Sequence, residues 1–430
     1  MITTAFINIW NKRVGAIAWD TETELGFFEF EPSFLRHQID LSPLKMPIDR
    51  AEKKIFSFPE LRSTNTFKGL PGLLADSLPD AYGNNLINAW LARNGRQGDS
   101  MNPVEILCFI GKRGVGALEF EPVVPEDKTG ATKIEIDSLV RVAQEILSDR
   151  NEFATNLSDE NNKALIDILK IGTSTGGARA KAVIAYNPLT KEIRSGQTDA
   201  PTGFSHWLLK FDGVADKQFG ASSGYGRVEM AYSLMAKEVG IEMTECMLLE
   251  ENDRAHFMTR RFDRDDGKGK IHVQSFCALG HLDFTEIAAF SYEQLFEIMR
   301  SMHLPYSDAE QLYRRMVFNV MAKNCDDHTK NFACMMDPSG QWKLSPAFDV
   351  CHSYRPGSAW VGQHSLSVNG KRQNILRTDL LEVAKKMNIK KAVHILDQVK
   401  AAVANWNHFA AKTDVDAKLK EAIRQTHLLL

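Results

Sequence analysis

The feature that most constrains this chain is a change in hydrophobic period partway along it. Up to about residue 262, short strand-like runs recur, "AFINIW", "RVGAIAW", "GALEFEPVV", "AKAVIAYN", "SHWLLKF" and "AHFMTRRF", and two of them, "GALEFEPVV" and "SHWLLK", alternate apolar and polar residues. Alternation of that kind sets one face of a strand on a core and the other toward water. Helical patterns interrupt them at "DAYGNNLINAWLARNG", closing on Gly95, and at "VEMAYSLMAKEVG", where Gly240 ends a helix. Beyond about residue 280 the helical period takes over, in "SYEQLFEIMRSM", "AEQLYRRMVFNVMAKN", "DLLEVAKKMNI" and "KKAVHILDQVKAAVANW". Sheets and helix bundles bury their apolar faces in different layers. An α+β fold of two lobes with a cleft between them is therefore expected. The polar stretch "PEDKTGATK" suggests a first boundary, giving segments 1–125, 130–262 and 263–430.

Two local details follow. "AFINIW" and "RVGAIAW" flank Asn11 and Lys12, which reads as a hairpin. "GKRGVG" at 111–116 has the look of a dinucleotide loop, but a strand-like "ALEFEP" follows it where a helix is required.

Composition narrows the classes. A chain of 430 residues allows roughly two to four domains. Its 43% hydrophobic and 25% charged residues suit a large globular core. A net charge of −3 gives no global basic field for nucleic acid or anionic membrane. The six cysteines form no CxxC pair, which fits reduced thiols. The start, "MITTAFINIWNKRVGAIAWD", lacks the build of a signal peptide, and no apolar run of about 18 residues is present. A cytoplasmic protein with no membrane association is expected.

The densest polar stretch is "NCDDHTKNFACMMDPSGQWKLSPAFDV", Asn324 to Val350. A helical stripe of Leu312, Met316, Val320 and Met321 leads into it. "NFACMM" and "QWKL" read as strands about the turn "DPSG". Centring the hairpin between Pro338 and Ser339 sets Asn331 opposite Pro346 and returns Asp349 near His328. Asp326, Asn331 and Asp349 then meet at one end. Phosphoryl transfer needs a divalent metal on the phosphates and a carboxylate that orients the attacking hydroxyl. Asn and Asp oxygens are hard ligands suited to Mg²⁺. We assign Asp326 as base, Asn331 and Asp349 as metal ligands, His328 as a brace and Lys330 as a neutralising charge. The same residue types cap helices and make turns. Cys325, His328, Cys334, Cys351 and His352 also raise zinc, but Cys325/His328 is the only pair with structural-zinc spacing.

Upstream, "IGTSTGGARAK" (171–181) offers Gly176, Gly177 and Lys181 as a phosphate cradle, although it is not a Walker A loop. Lys210 ends a strand where a kinase holds its phosphates, and Glu229 on the next helix is placed to orient it. Backbone from Thr259 to Phe262 is placed to meet adenine. The charged remainder of "RRFDRDDGKGK" reads as a solvated loop.

Taken in order, "GLLADSLPD", "IGKRGVGALEF", "GTSTGGARAK", "HWLLKF", "VEMAYSLMAKEVG", "RRFDR", "DDHTKNF", "LSPAFD" and "SLSVNGKRQN" resemble the HipA family of bacterial toxin serine/threonine kinases over nearly the whole chain. The resemblance implies a kinase-like two-lobed fold with an extra N-terminal subdomain, ATP and Mg²⁺. It also implies a helix-turn-helix antitoxin of the HipB type bound to operator DNA, and a protein substrate such as an aminoacyl-tRNA synthetase. By motif, Asp326 is the catalytic Asp, Asn331 and Asp349 hold metal, Lys210 binds ATP and Ser174 is autophosphorylated. The chain departs from well-studied members at Arg179 (Gln there), Ala180 (acidic there) and Asp327 (Gly there). Two other functions fit in part: an idle corepressor of a DNA-binding antitoxin, and a kinase acting on a small molecule or lipid head group.

Overall fold

The computed structural model describes residues 2–122, 135–148, 179–196, 200–214, 223–265 and 269–430. The fold is α+β. Strands β1 (Thr4–Ile9), β2 (Lys12–Asp20), β3 (Leu25–Phe30), β4 (Ile55–Phe56) and β5 (Leu118–Glu121) form an antiparallel sheet in the order β4-β3-β2-β1-β5. The first hairpin turns on Trp10 and Asn11, with φ 47° and 60°, and Ile9 pairs with Lys12. The turn is thus one residue earlier than expected. Two consecutive positive-φ residues match the twist of the flanking strands, and that geometry fixes the register.

Helix α1 (Ala81–Arg93) is capped by Asp80, whose side chain accepts from Gly83 N at 2.7 Å. Helix α2 (Pro103–Ile110) is buried along its length, and its one acid, Glu105, meets Arg96 at 2.9 Å. Its apolar residues join Ile7, Val14, Ile17 and Phe28 in one core.

A second antiparallel sheet has the order β7-β6-β8-β10-β9: β6 (Lys181–Tyr186), β7 (Ile193–Ser195), β8 (Ser205–Lys210), β9 (Cys246–Glu251) and β10 (Arg254–Arg260). Helix α3 (Ile136–Ser148) buries Leu139, Val142 and Ala143 against it, together with Tyr82 and Leu86 of α1. Helix α4 (Tyr225–Glu238) lies so close to β10 that a Cβ on Gly226 would stand 1.9 Å from Ala255 O. Gly240, at φ 76°, ends the helical run.

Between the sheets and the helical lobe, β11 (Arg264–Asp265) pairs with β12 (Gly269–Lys270). The expectation of a solvated loop fails here. Arg261 and Asp263 are both buried, and Asp263 takes Arg261 at 2.6 Å, Arg264 at 2.8 Å and Gly116 N at 2.8 Å. Burial opposes its charge, but the two guanidinium groups outweigh that and hold its carboxyl well below the usual range. Charges that neutralise one another across the chain can be buried, and charge density alone did not reveal their partners.

The C-terminal part packs α5 (Tyr292–Ser301), α6 (Tyr306–Met321), α7 (Arg377–Met387), α8 (Ala392–Ala404), α9 (Trp406–Lys412) and α10 (Ala417–Arg424) around a further core. Leu312, Met316, Val320 and Met321 are all fully buried, as their spacing predicts. The helix expected in "KKAVHILDQVKAAVANW" is α8, and α9 follows it after Asn405. Beside them lies a small sheet of β13 (His272–Ser275), β14 (Ala333–Met336) and β15 (Trp342–Leu344). In its hairpin Met336 pairs with Trp342, one residue further than expected. Gly340 N donates to Asp337 O at 3.0 Å, and Gly340 itself sits at φ 86°. The turn therefore carries an extra left-handed residue, the usual companion of a type I turn in a hairpin. Among the described residues no helix is long and apolar enough to cross a membrane.

Candidate active site

Strands β8 and β10, helix α4 and the loop between α6 and β14 help line a cavity of about 410 Å³ whose lining includes Lys210, Glu229, Asp326, Lys330, Asn331 and Asp349. Alternation along β8 leaves Lys210 at the strand end, opposite Lys181 on β6 and Phe257 on β10. The close seat of α4 brings Glu229 Oε1 to 2.5 Å from Lys210 Nζ. Lys210 also pairs with Asp349, whose backbone takes a left-handed φ of 53°, unusual for a residue with a side chain. Burial works against the Lys210 charge, yet Asp349 and Glu229 outweigh it and raise its pKa. Burial also opposes the Asp349 carboxylate, but Lys210 and Lys181 hold its pKa below the ordinary value. Glu229 goes the other way, raised by burial beyond what Lys210 offsets.

Across the cavity, α6 ends and the chain turns through Asn324–Asn331 into β14. The Asn331 amide donates to Asp326 O at 2.7 Å, which fixes the loop and directs the Asn331 oxygen the other way. Asp326 Oδ1 accepts from Trp360 Nε1 at 2.7 Å and lies 3.6 Å from His328 Nε2. The His328 ring packs on Phe284 at 4.9 Å, and Lys330 Nζ stands 5.6 Å over the same Phe284 ring. Phe262 lines the cavity and meets Phe348 at 5.8 Å. In the same stretch the amides of Arg260 and Arg261 are donated to Glu245 O and His206 O.

The structure thus brings Lys210, Glu229, Asp326, His328, Lys330, Asn331, Asp349 and Phe262 to one cavity. Lys181 is placed differently from the loop residue expected. It begins β6, is buried, and pairs with Asp80 at 2.8 Å. Ser174, Gly176 and Gly177 lie outside the described residues. Sequence reasoning missed Asp80, Asp76, Trp360 and His364. Asp76 accepts from Ser275 N and Oγ at 2.6 and 2.7 Å, tying the N-terminal part to the floor of the cavity. In the sequence Asp80 is only the first residue of a helical stretch, and Trp360 sits in a stretch with no periodicity.

The donor set suits Mg²⁺, which takes one or two protein oxygens and completes its shell with phosphate and water. Asp349 is held ionised, and the Asn331 oxygen is freed by the bond its nitrogen makes. Among the described residues no cluster of three or more His, Cys, Asp or Glu side chains is placed to hold a metal alone.

The chain was also compared with known proteins. It matches a Sinorhizobium fredii protein named as a candidate kinase, Y4mE, at 30% identity over 125 residues. That match covers 27% of this chain and 30% of the relative, so it spans under a third of the relative's length. Among solved structures, the Shewanella oneidensis HipA, in a toxin–antitoxin complex with HipB and operator DNA, superposes with a TM-score of 0.69. It is 15% identical, covering 98% of this chain and 94% of that one, and so shows the fold. Residues 5–121 match the HipA N-terminal domain family. Residues 173–406 match the HipA-like C-terminal domain family, more than half of the sequence, and the chain belongs to the HipA family.

Proposed function

We propose that this chain is an ATP- and Mg²⁺-dependent serine/threonine protein kinase, the toxin of a toxin–antitoxin pair. The observation that carries the reading is Lys210, bridged between Glu229 and Asp349, facing Asp326 and Asn331 across one cavity. A lysine oriented by a helix glutamate, a metal-binding Asp and a loop Asp–Asn pair are the parts phosphoryl transfer requires. The segments 1–125, 130–262 and 263–430 are the proposed N-terminal subdomain, nucleotide-binding lobe and catalytic lobe.

In this reading Lys210 holds the α/β-phosphates, and Glu229 keeps it from swinging away. Asp349 and Asn331 would hold Mg²⁺, which would supply positive charge beside the phosphates. Lys210 would take phosphate and Asp349 the metal, so each partner of the Lys210–Asp349 pair would find another counterion in place of the other. Asp326 accepts the proton of the acceptor hydroxyl. Lys330 faces the departing charge, and His328 braces the loop against Phe284. Adenine meets the chain at Phe262, because the amides of Arg260 and Arg261 are already donated. Gly176, Gly177 and Lys181 flank the phosphates, and Ser174 is the site of self-phosphorylation.

The proposed partner is a helix-turn-helix antitoxin of the HipB type, through which the toxin is carried on operator DNA. The proposed substrate is a protein, with aminoacyl-tRNA synthetases as the class to test first, in the cytoplasm. The deciding experiment is transfer of labelled phosphate from ATP by the purified chain and by D326N. Incorporation by the wild type that D326N lacks, with equal folding and ATP binding, supports the reading. Equal incorporation by both removes Asp326 as the base.

A further inference from the structure

Asp326 is followed by a second acid, Asp327, and the two are used differently. Asp327 and His364 are each 1% exposed, with Asp327 Oδ2 2.9 Å from His364 Nδ1. The same oxygen accepts from Tyr292 Oη at 2.8 Å, and Oδ1 accepts from Ser365 N at 2.8 Å. Asn319 Nδ2 donates to Tyr292 Oη at 3.0 Å, which closes the network behind it. His364 Nε2 lies 3.8 Å from Cys325 Sγ, on the other side of Asp326.

All of these partners on the far side come from one stretch of chain. Ser353 N donates to Lys323 O and Ser353 O accepts from Cys325 N, both at 3.0 Å. Trp360 then reaches Asp326 at 2.7 Å. His364 and Ser365 take Asp327, and Ser365 Oγ donates to Cys325 O at 3.3 Å. The segment is therefore tied to the loop at Lys323, Cys325, Asp326 and Asp327. Arg372 anchors its far end, donating to Ser365 O and to Phe290 O.

In regulated kinases the segment after the metal-binding Asp is ordered by a phosphate that pairs with arginine. Here the position before Asp326 is Cys325, and the segment after Asp349 is held to the loop by an ion pair inside the protein. We propose that the segment Ser353–Ser365 is a permanently engaged clamp on the catalytic loop, in which His364 and Trp360 are positioning residues for Asp326. This rests on the reading of Asp326 as the base. His364 sets the loop backbone through Asp327. Trp360 occupies one oxygen of Asp326 and leaves the other to the acceptor hydroxyl. Burial opposes charge on His364, but Asp327 outweighs it and raises the pKa to about 10, so the imidazole stays protonated at neutral pH.

The test uses the full chain with MgATP as donor and the chain itself as acceptor. D327N, H364Q, the double variant and W360F are compared by amide exchange and by turnover. W360F keeps an aromatic ring against Phe284 and His328 and removes only the N–H. In D327N and H364Q, amide protection of residues 325–331 falls by about 10-fold or more while that of α6 holds. Turnover falls about 10- to 100-fold in all single variants with the MgATP KM within about two-fold, and the double variant is no worse than the worse single. Unchanged protection of 325–331 in folded D327N and H364Q overturns the clamp. If those variants do not fold, W360F decides, and wild-type turnover in W360F overturns it. Protection lost in the variants of a chain that shows no turnover at all supports the clamp and overturns the kinase reading instead.

Discussion

The two sides of the cavity are built on opposite principles. On the proposed nucleotide side, Lys210 is shared between two carboxylates, Glu229 and Asp349, within contact of the cavity. On the side beneath the proposed catalytic loop, Asp327 is saturated by His364, Tyr292 and Ser365 and is closed to solvent. A shared cation can exchange partners when a polyanion and its metal arrive. A saturated buried pair cannot give one up without leaving a charge uncompensated. The first arrangement suits binding, and the second suits holding a loop still.

The largest effect expected on either side belongs to Asp326, between them. D326N should lower phosphotransfer by about 10²- to 10⁴-fold, the range for a general base, with thermal unfolding unchanged. A small loss would mean that neither side serves a proton-accepting Asp326.

H364Q should then separate the sides by stability. Breaking a buried pair by removing one partner costs about 3–5 kcal/mol, because Asp327 is left buried without its counterion. K210M removes a charge that two acids can partly compensate with water and counterions, so it should cost less stability and more ATP affinity. Denaturant titration of both variants checks this, and equal losses would erase the distinction.

D349A acts on the nucleotide side only. With ATP at about 100 times its Kd, bound nucleotide should stabilise the wild type by about 2.7 kcal/mol. Mg²⁺ should account for most of that in the wild type and for none in D349A. Thermal shift with and without Mg²⁺ reads the difference.

The smallest effect is in pH. His364 is raised from an ordinary value of 6.5 to about 10. Its contribution is complete below about pH 6.5 and disappears as pH climbs through about 10. Asp349 is lowered from 3.8, so its contribution is present above that value and is lost as pH falls through the lower folded one. The loop side should thus weaken in alkali and the nucleotide side in acid. In a Tm–pH series, the gap between wild type and H364Q should narrow above about pH 10.

Much of the fold was legible in the sequence because its signals are local. The strand at 205–210, the helix read from Val228 and ending before Gly240, and the buried stripe of α6 follow from period and capping alone. The turn at Asp337–Gly340 was visible too, but its extra residue was not. A type I turn and the same turn with an added left-handed glycine share the residues "DPSG", and strand twist decides between them.

The site divides in the same way. Sequence by itself determined which residues are available and in what order: Lys210, Glu229, Asp326, Asn331 and Asp349, each at the end of a strand or helix or in a loop between them. Tertiary structure alone decided the partners. Lys181 went to Asp80, Trp360 to Asp326, His364 to Asp327, and Asp263 to two arginines and a glycine amide. A side chain declares its charge and its donors in one letter. What neutralises it is set by which distant backbone the packing of the cores brings within about 3 Å, and no single sequence records that.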